Sequence, residues 1–279
     1  MDPLEAFKEI DGLYNHTTGT GNRWRSIPLE DRASVAAQLA DFRYTPEELR
    51  EANGRLSTPK RFIVAIDCEM IGLEDPDNFE GEIERLAQLV AIDVLTGDIL
   101  VDVLVKPNGP VKHYRTEHSG LKEESFVEAK GKRKLVKRVD LARQRLFKWI
   151  DQDTILVGHG LQSDFRALEI RHNGVDTHNK VNVIDTQIVA RKEVERMIAI
   201  QPRWKTGRPP RGKTKLKHLA ESLCGQTIQA DLINGHDCVE DTYATREVLL
   251  AMEHSRLDLE DWATEYVRRS TISASWTGL

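Results

Sequence analysis

The sequence lacks any apolar run of about 18 residues, the length that a helix needs to cross a bilayer. Residues 1–11 are acidic and have no apolar core, which excludes a typical secretory signal. Cys68, Cys224 and Cys238 are odd in number and widely separated, so neither a disulfide framework nor a zinc knuckle is indicated. No internal repeat is visible. These absences predict a protein of a reducing compartment, the nucleus or the cytoplasm, without a membrane partner.

What the sequence does have is the balance of a soluble globular protein. Of its 279 residues, 39% are apolar and 30% are charged. The formal net charge of −5 by itself argues against a polyanionic partner. Two local runs reverse this sign, because residues 130–138 hold six basic residues and residues 203–217 hold seven, with no acidic residue in either. Such runs are typical of a nucleic-acid contact or of a solvated loop.

The chain divides near residue 58. Residues 1–57 show apolar residues at helical spacing and predict a small helical appendage, which could bind a partner protein or brace the rest of the molecule. Residues 58–257 hold three apolar runs, then helix, strand, helix, strand and further helices, and residues 258–279 are expected to form a C-terminal tail. This order predicts an α/β fold, a mixed five-stranded sheet flanked by helices. The strands are predicted at residues 62–70, 86–94, 97–105, 154–157 and 181–184.

Two carboxylates stand at the end of the first predicted strand. Asp67 and Glu69 are two positions apart and therefore share one face of the strand. Adjacent carboxylates at the edge of a core repel one another and are costly to desolvate, and a divalent cation relieves both costs. The simpler alternative is a strand that runs out into solvent. Cys68 points to the opposite face and is interpreted as a small buried apolar residue.

A third carboxylate, Asp164, follows the glycine-rich turn at residues 158–160 and falls in the first turn of a predicted helix. Taken alone, this position is explained by helix capping and by the helix dipole. His159, inside the turn, is explained equally well by a structural hydrogen bond.

His236 and Asp241 lie in the most informative local segment. Asp237 and Glu240 fit a capping box, so we expect a helix to begin at Asp237 and His236 to lie on the loop before it. On one continuous helix, residues five positions apart diverge by about 140°, whereas the loop allows the two side chains to converge. Histidine is suited to take a proton from water near neutral pH. The alternative is a surface histidine beside a helix cap.

Together, these segments resemble the DEDDh 3′→5′ exonucleases, whose fold is RNase H-like, and within them the REX-type RNA exonucleases. The resemblance covers residues 61–252 and includes more than the acidic positions. Its motifs are residues 65–72, 105–107, 114–116, 119–121, 156–161, 184–186, 216–220 and 235–241, with Asp164. The acidic stretch 75–84 and the basic segments 130–138 and 201–213 depart from the compact family pattern.

The resemblance implies two divalent metal ions, Mg²⁺ or Mn²⁺, and a histidine that acts as general base. By position, the metal ligands would be Asp67, Glu69, Asp164 and Asp241, and the base would be His236. Met70 and the backbone near Ile71 and Gly72 would lie beside the terminal nucleotide. Independently of the resemblance, the charge of the second basic segment predicts three substrate contacts, Arg208, Arg211 and Lys213, with a solvated surface loop as the alternative.

The implied function is hydrolysis of RNA from its 3′ end with release of 5′-mononucleotides, in the nucleus rather than the cytoplasm. RNA is favoured over DNA only through the REX-like details, because the phosphodiester chemistry does not involve the 2′-hydroxyl. A DNA 3′→5′ exonuclease therefore stays open. So does a nucleic-acid-binding scaffold without activity, against which the intact set of five catalytic residues argues. The sequence implies no particular oligomeric state.

Overall fold

The structure is a computed structural model that describes residues 60–151, 154–170, 182–200, 214–230, 235–254 and 256–276. The predictions made for the helical appendage at residues 1–57 and for the basic segment 201–213 lie outside the described residues.

A mixed sheet of seven strands forms the centre of the described part. The strands are β1 (Ile63–Asp75), β2 (Asn78–Asp93), β3 (Ile99–Val105), β4 (Val111–His113), β5 (Leu135–Val136), β6 (Ile155–Gly158) and β7 (Asn182–Asp185). Their order is β5-β3-β2-β1-β6-β7, and β4 pairs with β1. The neighbours β1 and β2 are antiparallel, as are β2 and β3, whereas β6 is parallel to β1 and to β7. The predicted α/β class and the five predicted strands are confirmed. The two additional strands, β4 and β5, are too short to show a periodic pattern in the sequence.

The helices are α1 (Thr116–Ser119), α2 (Glu123–Gly131), α3 (Val139–Phe147), α4 (Gln162–Ala167), α5 (Thr186–Ile200), α6 (Leu216–Cys224), α7 (Cys238–His254) and α8 (Arg256–Trp276).

Residues 258–279, expected as a tail, contain most of α8. Leu259, Ala263, Tyr266 and Val267 are buried at helical spacing, and the last three of them pack with Val194 and Met197 of α5. Among the described residues, no helix has both the length and the hydropathy for crossing a membrane.

Strands β1 and β2 extend well beyond the predicted residues as an acidic ribbon, which ends at Asp75 and Asn78. Charged residues such as Glu74 and Glu84 alternate there with apolar ones, so no apolar run marks the strand. Arg115, just before α1, binds both Glu82 and Glu84 of the ribbon. The ribbon is therefore tied to the segment that leads into α1.

The two faces of β1 belong to different parts of the core. Val64, Ile66 and Cys68 face α3 and α4, where they pack with Leu146 and Phe165. Ile63 and Ala65 face the other way and pack with Leu249 of α7. Because side chains alternate along a strand, the residues that follow Ala65 in this second row, Asp67 and then Glu69, lie on the side of α7.

Candidate active site

The first carboxylate pair lies where β1 leaves the core. Asp67 is half-buried and Glu69 is buried, and the pairing with β2 shifts register directly after Glu69. Oxygen atoms of both carboxylates and the sulfur of Cys238 lie within 4.8 Å of one another. The thiol of Cys238 donates a hydrogen bond to the carbonyl oxygen of Asp67 over 3.4 Å, and burial holds its pKa well above the usual value. Cys238 is therefore a neutral neighbour of the pair.

Asp164 reaches the site from the turn between β6 and α4. It is buried, and it does not cap α4, because the N-cap position belongs to Leu161. The amides of Gly160 and Leu161 in the turn are bound instead by Asp185, at 3.1 and 2.9 Å. The Asp164 carboxylate accepts a hydrogen bond from the thiol of Cys68. Its charge raises the pKa of both Asp67 and Glu69, although among the described residues it joins neither group of ligand atoms that lie within 4.8 Å of one another.

His236 and Asp241 converge across the start of α7. Asp237 caps the helix, since its Oδ1 accepts from the amides of Val239 at 2.8 Å and of Glu240 at 3.3 Å. The helix begins at Cys238, one residue after the predicted start. His236 lies on the preceding loop with Nδ1 3.3 Å from Oδ2 of Asp241. Ligand atoms of Glu69, His236 and Asp241 lie within 4.8 Å of one another.

Helix α1 supports the loop that carries His236. The amide of His236 donates to the carbonyl oxygen of His118 at 3.2 Å, and the two imidazole rings meet edge to face at 6.1 Å. Gly235 adopts a positive φ of 77°. A Cβ atom there would overlap the carbonyl oxygen of Thr116, so glycine is required for the close approach of the two backbones.

Gln229 is a site residue that the sequence analysis missed. Its Nε2 donates to Oδ1 and Oδ2 of Asp241, at 3.1 and 2.9 Å. Its backbone is fixed in the left-handed region, with φ 52°. Its amide donates to Glu240 at 2.9 Å, and its carbonyl oxygen accepts from Lys217 at 2.9 Å. No local pattern marks this residue, because it lies after α6 and outside any helix or strand.

Burial is the main electrostatic influence on the four carboxylates. It raises the pKa of Glu69 to about 8, of Asp164 to about 7 and of Asp241 to about 6, and it raises the pKa of Asp67 well above its usual value. Repulsion among the carboxylates adds to this effect for Asp67 and Glu69. Buried hard oxygen donors that repel one another fit a divalent cation, which neutralises them.

The base candidate is neutral near pH 7. Burial lowers the pKa of His236, and the charges of His118 and Lys217 lower it further. A neutral imidazole can accept a proton.

The predicted substrate contacts differ in how they are placed. Met70 is half-buried and packs against the main core, whereas the side chain of Ile71 is fully buried in a separate cluster. Only the backbone of Ile71 can therefore touch a ligand. Gly72 is buried, and a Cβ atom there would overlap the carboxylate of Glu82. Arg208, Arg211 and Lys213 lie outside the described residues.

Known proteins are similar to this chain in sequence. Small RNA degrading nuclease 2 of Arabidopsis thaliana is 30% identical over 71% of this chain, and RNA exonuclease 1 of Saccharomyces cerevisiae is 32% identical over 67% of it. The chain spans 36% and 27% of the lengths of these two relatives.

The fold is shared with a solved structure of the Pan2 pseudoubiquitin hydrolase–RNA exonuclease module of S. cerevisiae in complex with RNA. The TM-score is 0.55 at 22% identity, over 78% of this chain and 34% of that chain. This likeness confirms the expected RNase H-like fold. The exonuclease family RNase T matches residues 64–249, a stretch that includes all five predicted catalytic positions, and the chain therefore belongs to this family.

Proposed function

We propose that the protein is a metal-dependent 3′→5′ exonuclease that hydrolyses RNA and releases 5′-mononucleotides. The proposal is carried by one observation: β1 and α7 bring three carboxylates and a neutral histidine together, and the buried carboxylate of α4 interacts electrostatically with the pair on β1. These residues are Asp67, Glu69, Asp164, Asp241 and His236. Membership of an exonuclease family and relatives named as RNA-degrading enzymes support the same activity.

The four carboxylates would hold two divalent ions, Mg²⁺ or Mn²⁺. When bound, such ions neutralise charge on the scissile phosphate and lower the pKa of water. Asp67 and Glu69 are fixed by β1, whereas Asp164 and Asp241 come from the first turns of α4 and α7. Because the ligands belong to separate elements of one sheet-and-helix core, the site is assembled only in the folded protein.

His236 would act on the attacking water. Asp241 lies beside Nδ1 and favours the tautomer that carries its proton there, which leaves Nε2 to take a proton from the water. The oxygen of that water forms a bond to phosphorus, and the bond from phosphorus to the 3′ oxygen of the preceding nucleotide breaks. That 3′ oxygen leaves with the shortened RNA and takes up a proton, while the terminal nucleotide departs with its 5′-phosphate.

A digestion assay tests the proposal. We expect 5′-labelled single-stranded RNA to be shortened stepwise from its 3′ end with Mg²⁺ or Mn²⁺, and to stay intact with a chelator. The Asp164→Asn variant should be inactive under the same conditions. A parallel reaction with DNA of the same sequence compares the rates of RNA and DNA cleavage. Faster cleavage of DNA would show that DNA, and not RNA, is the preferred substrate. Intact RNA and DNA at every metal concentration would contradict the nuclease assignment.

We also propose that the protein works in the nucleus. The REX-like motifs and the two Lys/Arg runs favour this compartment, since basic runs are typical of nuclear import signals. Microscopy of the chain fused to a fluorescent protein tests this, and a purely cytoplasmic signal would contradict it.

A further inference from the structure

A cavity of about 240 Å³ lies between the end of β3 and the start of α3, outside the carboxylate cluster. Five of its lining side chains are basic: Arg85, Lys106, Lys137, Arg138 and Arg143. Among the lining residues that the structure describes, the acidic ones are Asp140 and Glu169. The walls therefore carry an excess of positive charge on a chain whose net charge is −5.

The two acidic residues are already neutralised by two of the arginines. Arg138 binds Asp140 through two hydrogen bonds of 2.9 and 2.7 Å. Arg143 is buried and binds Glu169 at 3.0 Å. This leaves the charges of Arg85, Lys106 and Lys137 uncompensated by the acidic residues of the wall. Lys106 and Lys137 are both exposed, and within the described ranges neither side chain forms a hydrogen bond or an ion pair.

The basic run at residues 130–138 divides in the folded protein. Lys132 pairs with Glu128, and Lys134 pairs with Asp102, so both are occupied away from the cavity. Lys137 and Arg138, at the end of the run, line the cavity. Only this end of the run is positioned to bind a further anion at the cavity.

The cavity is connected to the candidate active site through the sheet. Glu69 pairs with Gln88, which pairs with Leu104, so these residues form one row across β1, β2 and β3. On β3 the cavity wall begins at Val105, the residue after Leu104, so the cavity lies at the same end of the sheet as Glu69 but on the opposite face, beside α3. Adjacent strands are about 4.8 Å apart, which puts β3 about 10 Å from β1.

A second connection runs through α4. Arg143 donates to the carbonyl oxygen of Leu168 at 2.7 Å, and the amide of Leu168 donates to the carbonyl oxygen of Asp164 at 2.8 Å. One helical turn therefore joins the buried arginine of the cavity to a predicted metal ligand.

We propose that this basic cavity binds a backbone phosphate of the substrate RNA on the 5′ side of the scissile bond. The inference rests on the proposed function, in which a single nucleotide lies on the 3′ side, so every other phosphate is on the 5′ side. A single strand carries one charge per nucleotide, so an RNA that passes around the end of the sheet from Glu69 presents successive phosphates to the cavity on the other face. Lysine and arginine contacts to phosphate position the strand without reading its sequence.

The test compares substrates with and without upstream phosphates. The p-nitrophenyl ester of uridine 5′-monophosphate has one phosphodiester, with p-nitrophenol as the leaving group and no further phosphate on its 5′ side, whereas single-stranded RNAs of about 3 to about 12 nucleotides extend progressively further. For each substrate, the KM of the Lys106→Ala/Lys137→Ala variant is compared with that of the wild type. We expect this ratio to increase with RNA length and to be roughly tenfold larger for the longest RNA than for the ester. For the longest RNA, the slope of log KM against the logarithm of the salt concentration should be smaller in the variant than in the wild type by about 1 to 2.

Lys130→Ala/Lys132→Ala is the matched control, because it removes two exposed lysines of the same basic run that do not line the cavity. For this control, the ratio of its KM to the wild-type KM should be the same for the ester and for RNAs of every length. An equal rise in KM for the ester and the longest RNA, or no rise for that RNA, would overturn the phosphate subsite. Wild-type protein that hydrolyses neither the ester nor RNA would instead overturn the proposed nuclease function.

Discussion

The side-chain amide of Gln229 binds both carboxylate oxygens of Asp241, at 3.1 and 2.9 Å. This contact lowers the pKa of Asp241, which burial raises. An amide cannot take a proton from the carboxylate, so it fixes the orientation of Asp241 and favours its charged form. Gln229 is itself fixed through its backbone by Glu240 and Lys217. The relationship suits a residue that positions a metal ligand.

The first prediction concerns this contact. In the Gln229→Ala variant, the metal concentration for half-maximal activity should rise by roughly tenfold or more, because partners that orient a ligand typically contribute that much to metal affinity. The Gln229→Glu variant should raise this metal concentration further, since it adds a negative charge beside Asp241. Metal titrations of the hydrolysis rate measure both effects. Gln226→Ala, an exposed glutamine of the same segment, is the control. Reduced thermal stability with an unchanged metal requirement would mean that Gln229 is only structural.

The second prediction concerns the base. His236→Ala should lower kcat by about 10²- to 10⁴-fold, the range typical of general-base catalysis. Metal binding should persist, because the four carboxylates remain. Turnover of labelled RNA and the metal-induced rise in Tm measure the two properties separately. His113→Ala, which removes an exposed histidine of β4, serves as the control. Near-normal turnover in His236→Ala would exclude this residue as the base.

The fold was predictable wherever apolar residues repeat at the period of a strand or helix. The strand that begins at Ile63 is such a case, because its first four residues are all buried. The acidic ribbon was not predictable in this way, since its pairing depends on backbone hydrogen bonds and on contacts such as Arg115 with Glu82. Helix α8 could have been found from the spacing of Ala263, Tyr266 and Val267.

The candidate site was only partly predictable from local pattern. Alternation along a strand places Asp67 beside Glu69 on one face. Nothing local indicates that Asp164 and Asp241, about 100 and 170 residues further on, meet that pair, and the resemblance supplied this. Gln229 was missed because its role depends on a left-handed backbone that glutamine rarely adopts and on a helix that follows later in the chain.

The third prediction links stability, pH and metal. The folded protein raises the pKa of Glu69 to about 8, of Asp164 to about 7 and of Asp241 to about 6, above an unfolded value of about 4. A raised carboxyl pKa contributes stability that is complete below pH ~4 and is lost as the pH rises through the folded pKa. The Tm of the metal-free protein should therefore fall between about pH 5 and pH 8. Mn²⁺ should raise Tm more at pH 8 than at pH 5.5, because protons compete for the ligands in acid.

Calorimetry with a chelator or with Mn²⁺ measures these effects, and Asp164→Asn isolates the contribution of the site from that of other carboxyl groups. Without metal at pH 8, this variant should be more stable than the wild type by roughly 1–3 kcal/mol, since a buried charge is removed. It should also lose most of the stabilisation by Mn²⁺. A lower Tm than the wild type under metal-free conditions at pH 8 would contradict the proposed repulsion among the carboxylates.

The last prediction separates backbone strain from the geometry of the site. Gly235 and Gly225 have similar positive φ values, 77° and 64°, so alanine is strained at both by about 1 kcal/mol. At Gly225 nothing lies within 4 Å of an added Cβ, whereas at Gly235 the Cβ would overlap Thr116 and lie 2.8 Å from the amide nitrogen of Gly120. Gly225→Ala should therefore lower Tm slightly and leave turnover of RNA within about twofold. Gly235→Ala must push the His236 loop away from α1 and should lower kcat by about 100-fold, because small displacements of a catalytic group are costly. Equal turnover in the two variants would show that the contact between Gly235 and Thr116 does not position the base.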